Sequence, residues 1–99
     1  MNSITYLKQL IYERFNLNEI ASLCFDAGLN YDEIPGDRLS NKIEGLLVAS
    51  YKTGKLSLLL KLLADKRENV DWPNYEEAKT YDWEGLARTF DISLSLIHI

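Results

Sequence analysis

The sequence predicts an all-α fold. Three observations point there: apolar residues recur every three or four positions in four successive segments, capping residues stand ahead of several of them, and glycines close them. Only the C-terminal DISLSLIHI departs from that periodicity.

Ser3 is placed to cap a first helix reaching Phe15, in which Ile4, Leu7, Ile11 and Phe15 form a stripe that Leu10 widens. Asn16 begins the next helix, and Glu19, three residues on, completes a capping-box pattern. The inward face of this helix is expected to hold Leu17, Ile20, Leu23, Cys24 and Ala27, with Gly28 as a left-handed stop. Residues 31–34 are expected as a single short turn, ended by Pro35 and Gly36. Asp37 or Ser40 starts a third helix, with Leu39, Ile43, Leu46, Leu47, Ser50 and Tyr51 on its apolar side and Gly54 behind it.

The Leu-rich KLSLLLKLLADKREN follows. Leu56, Leu59, Leu60 and Leu63 share one stripe, with Leu58 and Leu62 beside it, an arc broad enough to predict a central helix buried on most sides. Lys66 and Arg67 sit in its last turn, where cations favour the dipole. Trp72-Pro73 interrupts any continuation. A further helix is expected over 75–90, touching the core through Ala78, Tyr81, Leu86 and Phe90, with Gly85 as a weak point. Ile92, Leu94 and Leu96 alternate with Ser93 and Ser95, which is a strand pattern. The expected organisation is therefore a helical domain over 1–72, an acidic aromatic extension over 73–91, and a strand-like tail over 92–99 that could open a further domain.

Composition narrows the function classes. Residues 1–68 carry nine basic and nine acidic residues, whereas 69–99 carry two and six, so the net charge of −4 comes from the C-terminal third. A phosphate-binding surface leaves a net basic footprint, so nucleic acid is not an expected partner. No stretch approaches the roughly 18 apolar residues of a membrane span, and Lys8, Glu13 and Arg14 interrupt the N-terminal segment where a signal peptide would be apolar. A single cysteine forms no internal disulfide, which fits a reducing cytoplasm.

No catalytic set emerges. Cys24 lies on the apolar stripe of its helix, where a free cysteine packs as a small hydrophobe, and the one histidine, His98, lies far along the chain. Two Cys/His residues fall short of a structural zinc site, and Asp26, Asp32, Glu33 and Asp37 lack the rhythm of a calcium loop. No metal or cofactor is expected. TGKLS at 53–57 contains the Gly-Lys of a phosphate loop, but Ala49 stands where the first glycine belongs and Leu56 where Ser or Thr would bind magnesium. The aromatics Trp72, Tyr75, Tyr81 and Trp83 are expected to fold back on the core rather than form a ligand box.

The order of motifs carries a resemblance. FNLNEI, then LCFDAGLNYDEIPG, then SNKIEGLL, then TGKL and finally VDW follow one another across 4–72. In this the chain resembles the bacterial effector-associated domains with a death-like fold, which are similar in plan to death, death-effector and CARD domains. The resemblance implies a compact antiparallel bundle of five or six helices and no enzymatic activity. It also implies an adaptor that pairs with itself or a matching domain, and so gathers an effector of the same chain or operon in bacterial conflict and anti-phage defence. The strand-like tail is foreign to such a domain.

A charge-paired contact between copies follows physically from a domain with acidic residues on one face and basic ones on another. The candidate surface comprises Glu13, Glu19 and Asp26 of one copy against Lys61, Lys66 and Arg67 of the next. Reversing Lys66 and Arg67 is then expected to block assembly and leave the helices intact. The competing reading is a monomeric helical regulator that binds an unrelated partner through the acidic aromatic segment 70–84.

Overall fold

The computed structural model describes residues 3–89. They form six α-helices: α1 (Ile4–Arg14), α2 (Leu17–Asp26), α3 (Leu39–Lys52), α4 (Leu56–Lys66), α5 (Tyr75–Ala78) and α6 (Trp83–Thr89), with a 3₁₀ turn at Tyr31–Glu33. The fold is an all-α bundle around one core. The strand-like tail, His98 and Phe90 lie outside the described residues.

The first two helices are bounded as their sequences dictate. The Ser3 side chain accepts the Tyr6 amide, and Phe15 is the C-cap of α1. Asn16 and Glu19 form a complete capping box at α2, each side chain accepting the other's backbone N–H. At its far end Gly28 turns left-handed at φ 74°, the Leu29 amide returns to Cys24 O, and the Gly28 amide to Phe25 O. That pair of bonds is a Schellman cap, and it holds the last turn of α2 rigidly.

α3, not the Leu-rich α4, is the central helix. It packs against α1, α2, α4 and α6, and Lys42, Ile43, Gly45, Leu46, Leu47, Val48 and Ser50 are buried around nearly its whole circumference. Leucine content proved the weaker guide because α4 keeps Leu58 exposed, whereas the small residues of α3 admit neighbours from more sides. A Cβ at Gly45 would collide with the Ile34 side chain, so this position is what lets the segment after the 3₁₀ turn lie against the helix. The Ser50 hydroxyl is fully buried and has no hydrogen-bond partner among the described residues.

The start of α3 also differs from expectation. Arg38 is the N-cap, without a side-chain bond, rather than Asp37 or Ser40. Tertiary contact sets the boundary instead. Lys42, 8% exposed, reaches back from the first turn to donate to Ile34 O at 2.5 Å and Tyr31 O at 3.3 Å, its ammonium lying over the Tyr31 ring.

The expected helix over 75–90 is broken in two. Asn74 caps α5 by accepting the Glu77 amide, and Asp82 accepts the Gly85 amide at the start of α6. Asp is a better cap than helix interior, so the chain restarts there. Between them the Trp83 indole donates to Ala78 O at 2.8 Å. Ala78, Trp83, Leu86 and Ala87 all join the same core cluster as Leu7, Ile20 and Leu46.

Candidate functional site

Each residue expected to contribute chemistry or contact has a definite place. Cys24 is fully buried in the core, and desolvation pushes its thiol up to about 11, so it is a packed apolar group rather than a thiolate. The aromatics fold back as expected, with one exception. Trp83, 2% exposed, stacks on Tyr51 at 5.3 Å, and Tyr81 lies beside it with its phenol pushed up to about 12 by desolvation and by Glu77. Trp72 packs on Phe15 and donates its indole N–H to Arg67 O at 2.9 Å. Tyr75 is the one left exposed.

The charged candidates converge on one seam. Arg67 Nη2 lies 2.5 Å from Glu19 Oε2, and Lys66 Nζ 3.2 Å from Asp26 Oδ2, so acid and base from α2 and α4 meet within one chain. Lys55 Nζ, at the N-cap of α4, donates to Gly28 O just beyond the end of α2. Arg67 does more than neutralise Glu19. Its Nε and Nη2 both donate to Arg14 O, at 3.2 and 2.9 Å, and its guanidinium lies 4.5 Å from the Phe15 ring. It ties the α1–α2 junction to the end of α4, and its own carbonyl receives Trp72. Reversal at Arg67 would break these bonds, so it perturbs the fold as well as any contact.

The Arg67 guanidinium and the Asn16 backbone hold the Glu19 carboxyl below its ordinary value. Glu13 is likewise lowered, by Gln9 first and then Arg14, on the exposed face of α1. Lys61 is exposed on α4 and makes no ion pair among the described residues. Of the six candidates, then, four are drawn into the α2–α4 seam, Glu13 pairs along its own helix, and Lys61 stands apart.

Two surface features have no counterpart in that set. Phe25 on α2 is 83% exposed, far more than any other large apolar side chain described. Between α1 and α3 lies a cleft of about 300 Å³ lined by Thr5, Lys8, Gln9, Tyr12, Ser40 and Ile43. Its edge is fixed by the ion pair of Lys8 with Glu44, and Tyr12 stands 52% exposed beside it. The wheel of α2 was the available signal for Phe25: residues 20, 23, 24 and 27 face the core, and 25 falls on the far side. Leu17, expected inward, is exposed too, at the first residue of α2.

Among the described residues no helix is long and apolar enough to cross a membrane, and no group of three or more His, Cys, Asp or Glu could hold a metal ion. The helical segment from α1 to the end of α4 is matched, over residues 7–67, by the sequence model of the family described as Effector-associated domain 7. The chain belongs to that family. By that description its members are modules associated with effector domains. Neither a curated protein nor a solved structure matches the chain. The match to Effector-associated domain 7 stops at the residue that anchors Trp72, yet Ala78, Trp83, Leu86 and Ala87 beyond it are core residues of the same bundle.

Proposed function

We propose that this chain is a death-like adaptor module, which self-associates or pairs with a matching domain and thereby clusters an effector in a bacterial conflict or anti-phage system. Membership of the Effector-associated domain 7 family carries this reading. The surface supports it: Cys24 is buried in the core and Glu19, Asp26, Lys66 and Arg67 fasten helices, while the exposed Phe25 and the cleft between α1 and α3 remain on the outside.

A contact of Lys61, Lys66 and Arg67 with Glu13, Glu19 or Asp26 of another copy belongs to the same proposal. It would require Lys66 and Arg67 to exchange partners they already hold, so Lys61 is the member free to make it at no such cost. The regulator reading has less support. Segment 70–84 places both indoles in hydrogen bonds to backbone carbonyls and keeps Tyr75 as its exposed aromatic.

Sedimentation velocity of the full chain over a concentration series tests the proposal. Mass that grows with concentration, or formation of a complex with a matching domain from the same operon, is the expected result. A strict monomer that also ignores such a domain would overturn it.

A further inference from the structure

We propose that Phe25 is the knob of a head-to-tail contact between copies of this chain, seated in the α1–α3 cleft of the next copy. This rests on the reading that the chain self-associates, and adds the seam through which it does so.

The knob is built to be presented. Phe25 occupies the last turn of α2, where the Schellman cap bonds its own carbonyl to the Gly28 amide and so fixes the turn that carries it. Leaving a phenyl ring 83% exposed forgoes the gain of burying it, and aromatic side chains are enriched at protein interfaces. The cleft has room for it, since a cavity of about 150 Å³ already accepts benzene. Ile43, 1% exposed, closes only its bottom, and Tyr12, 52% exposed, offers the ring for an edge-to-face contact.

The placement of the two features decides the symmetry. Ser40 and Glu44 face α1, whereas Lys42 and Gly45 face the 3₁₀ turn, roughly half a turn away around α3. The depression beside Phe25 is lined by Gly28, Leu29, Asn30 and Tyr31, so the knob lies on the side of that turn. Knob and cleft thus sit on opposite sides of the central helix and cannot satisfy each other within one chain. A two-fold pairing through the depression itself would bring Asp32 and Glu33, both exposed on the turn, towards their own copies, and like charges there repel. At the cleft, where Lys8 is already paired with Glu44, they would meet the exposed Arg38 at the N-cap of α3, two residues before Ser40 of the lining. The occupant that fits is therefore a second copy arriving head to tail, and such a contact propagates as an open filament unless its rotation closes a ring.

Two variants and their mixture test this. Phe25→Lys removes the knob at an exposed position, and Ser40→Trp fills the cleft from its exposed rim; circular dichroism checks that each keeps its helices. Each alone is expected to weaken self-association at least about thirtyfold, the scale of a contact hot spot. Mixed in equal amounts, they retain one intact cleft and one intact knob, so the expected species is a dimer that grows no further. If both variants assemble like the parent chain, or only Phe25→Lys is impaired, or the mixture stays monomeric, the seam is wrong while self-association stands. If the parent chain itself is monomeric at every concentration, the adaptor reading fails and this inference with it.

Discussion

Along one edge α2 hands Glu19 and Asp26 to α4, while on its outer face Phe25 stands exposed. Both edges look like solvent-facing surface when the sequence is read alone. The charges were the more conspicuous, yet long charged side chains at a helix edge are within reach of whichever helix packs alongside, and here the neighbour takes them. An aromatic pointing directly away from the core has no such neighbour. The difference teaches that exposure relative to the adjacent helix, rather than charge, separates what fastens this domain from what it can offer a partner.

The comparison is scaled by a residue that is unambiguously core. Trp83→Ala should cost about 3–5 kcal/mol, read from urea unfolding, because it removes the stack on Tyr51 and the bond to Ala78 O. A loss under about 1 kcal/mol would mean that α6 is an appendage, as the expected boundary at 72 implied, and not part of the bundle. Arg67→Glu comes next. Losing two charge-assisted bonds to Arg14 O and the cover over Phe15 should cost about 2 kcal/mol. If stability is unchanged, the seam does not fasten the helices and Arg67 returns to the pool of contact residues.

Acid titration probes the same seam with a smaller effect. Arg67 depresses the folded-state value of Glu19 below the ordinary 4.5, so this carboxylate contributes stability that is present above its unfolded value and lost as pH falls through the lowered one. Between about pH 5 and pH 3 the parent chain should lose stability more steeply than Arg67→Ala, in which the main cause of the shift is gone. Parallel curves would show that the pair is too solvated to matter. Lys66→Ala is expected to cost under about 1 kcal/mol, since the Lys66–Asp26 pair is partly exposed. A double cycle with Asp26→Ala would isolate that term.

Local signals in the sequence located most of the fold, because they are local in physics too. The Asn16–Glu19 capping box, the Gly28 stop and the inward stripe of Leu7, Ile11 and Phe15 need only neighbouring residues to operate. Errors arose where a distant group decided the outcome. Arg38 became the α3 cap because Lys42 fastens the first turn to carbonyls eight and eleven residues back. The helix over 75–90 split because the Trp83 indole claimed Ala78 O and Asp82 capped what followed. Centrality passed from α4 to α3 because Gly45 admits Ile34, a contact no periodicity announces. The site followed the same rule: residue types were readable, but the pairing of Glu19 with Arg67 spans 48 positions and depends on how α2 and α4 pack.

The smallest expected effect on stability is at Phe25, and there a near-zero value is informative. The side chain contributes little to the core at 83% exposure, and a lysine in the last turn of α2 favours the dipole, so Phe25→Lys should change stability by no more than about 0.5 kcal/mol in dilute monomer. Arg67→Glu and Phe25→Lys would then separate two quantities that usually fall together: the first lowers the unfolding midpoint at every concentration, the second lowers only the concentration-dependent part. If Phe25→Lys instead destabilises the monomer, the ring is packing against its own chain in solution, and the outer face of α2 fastens the fold just as its edge against α4 does.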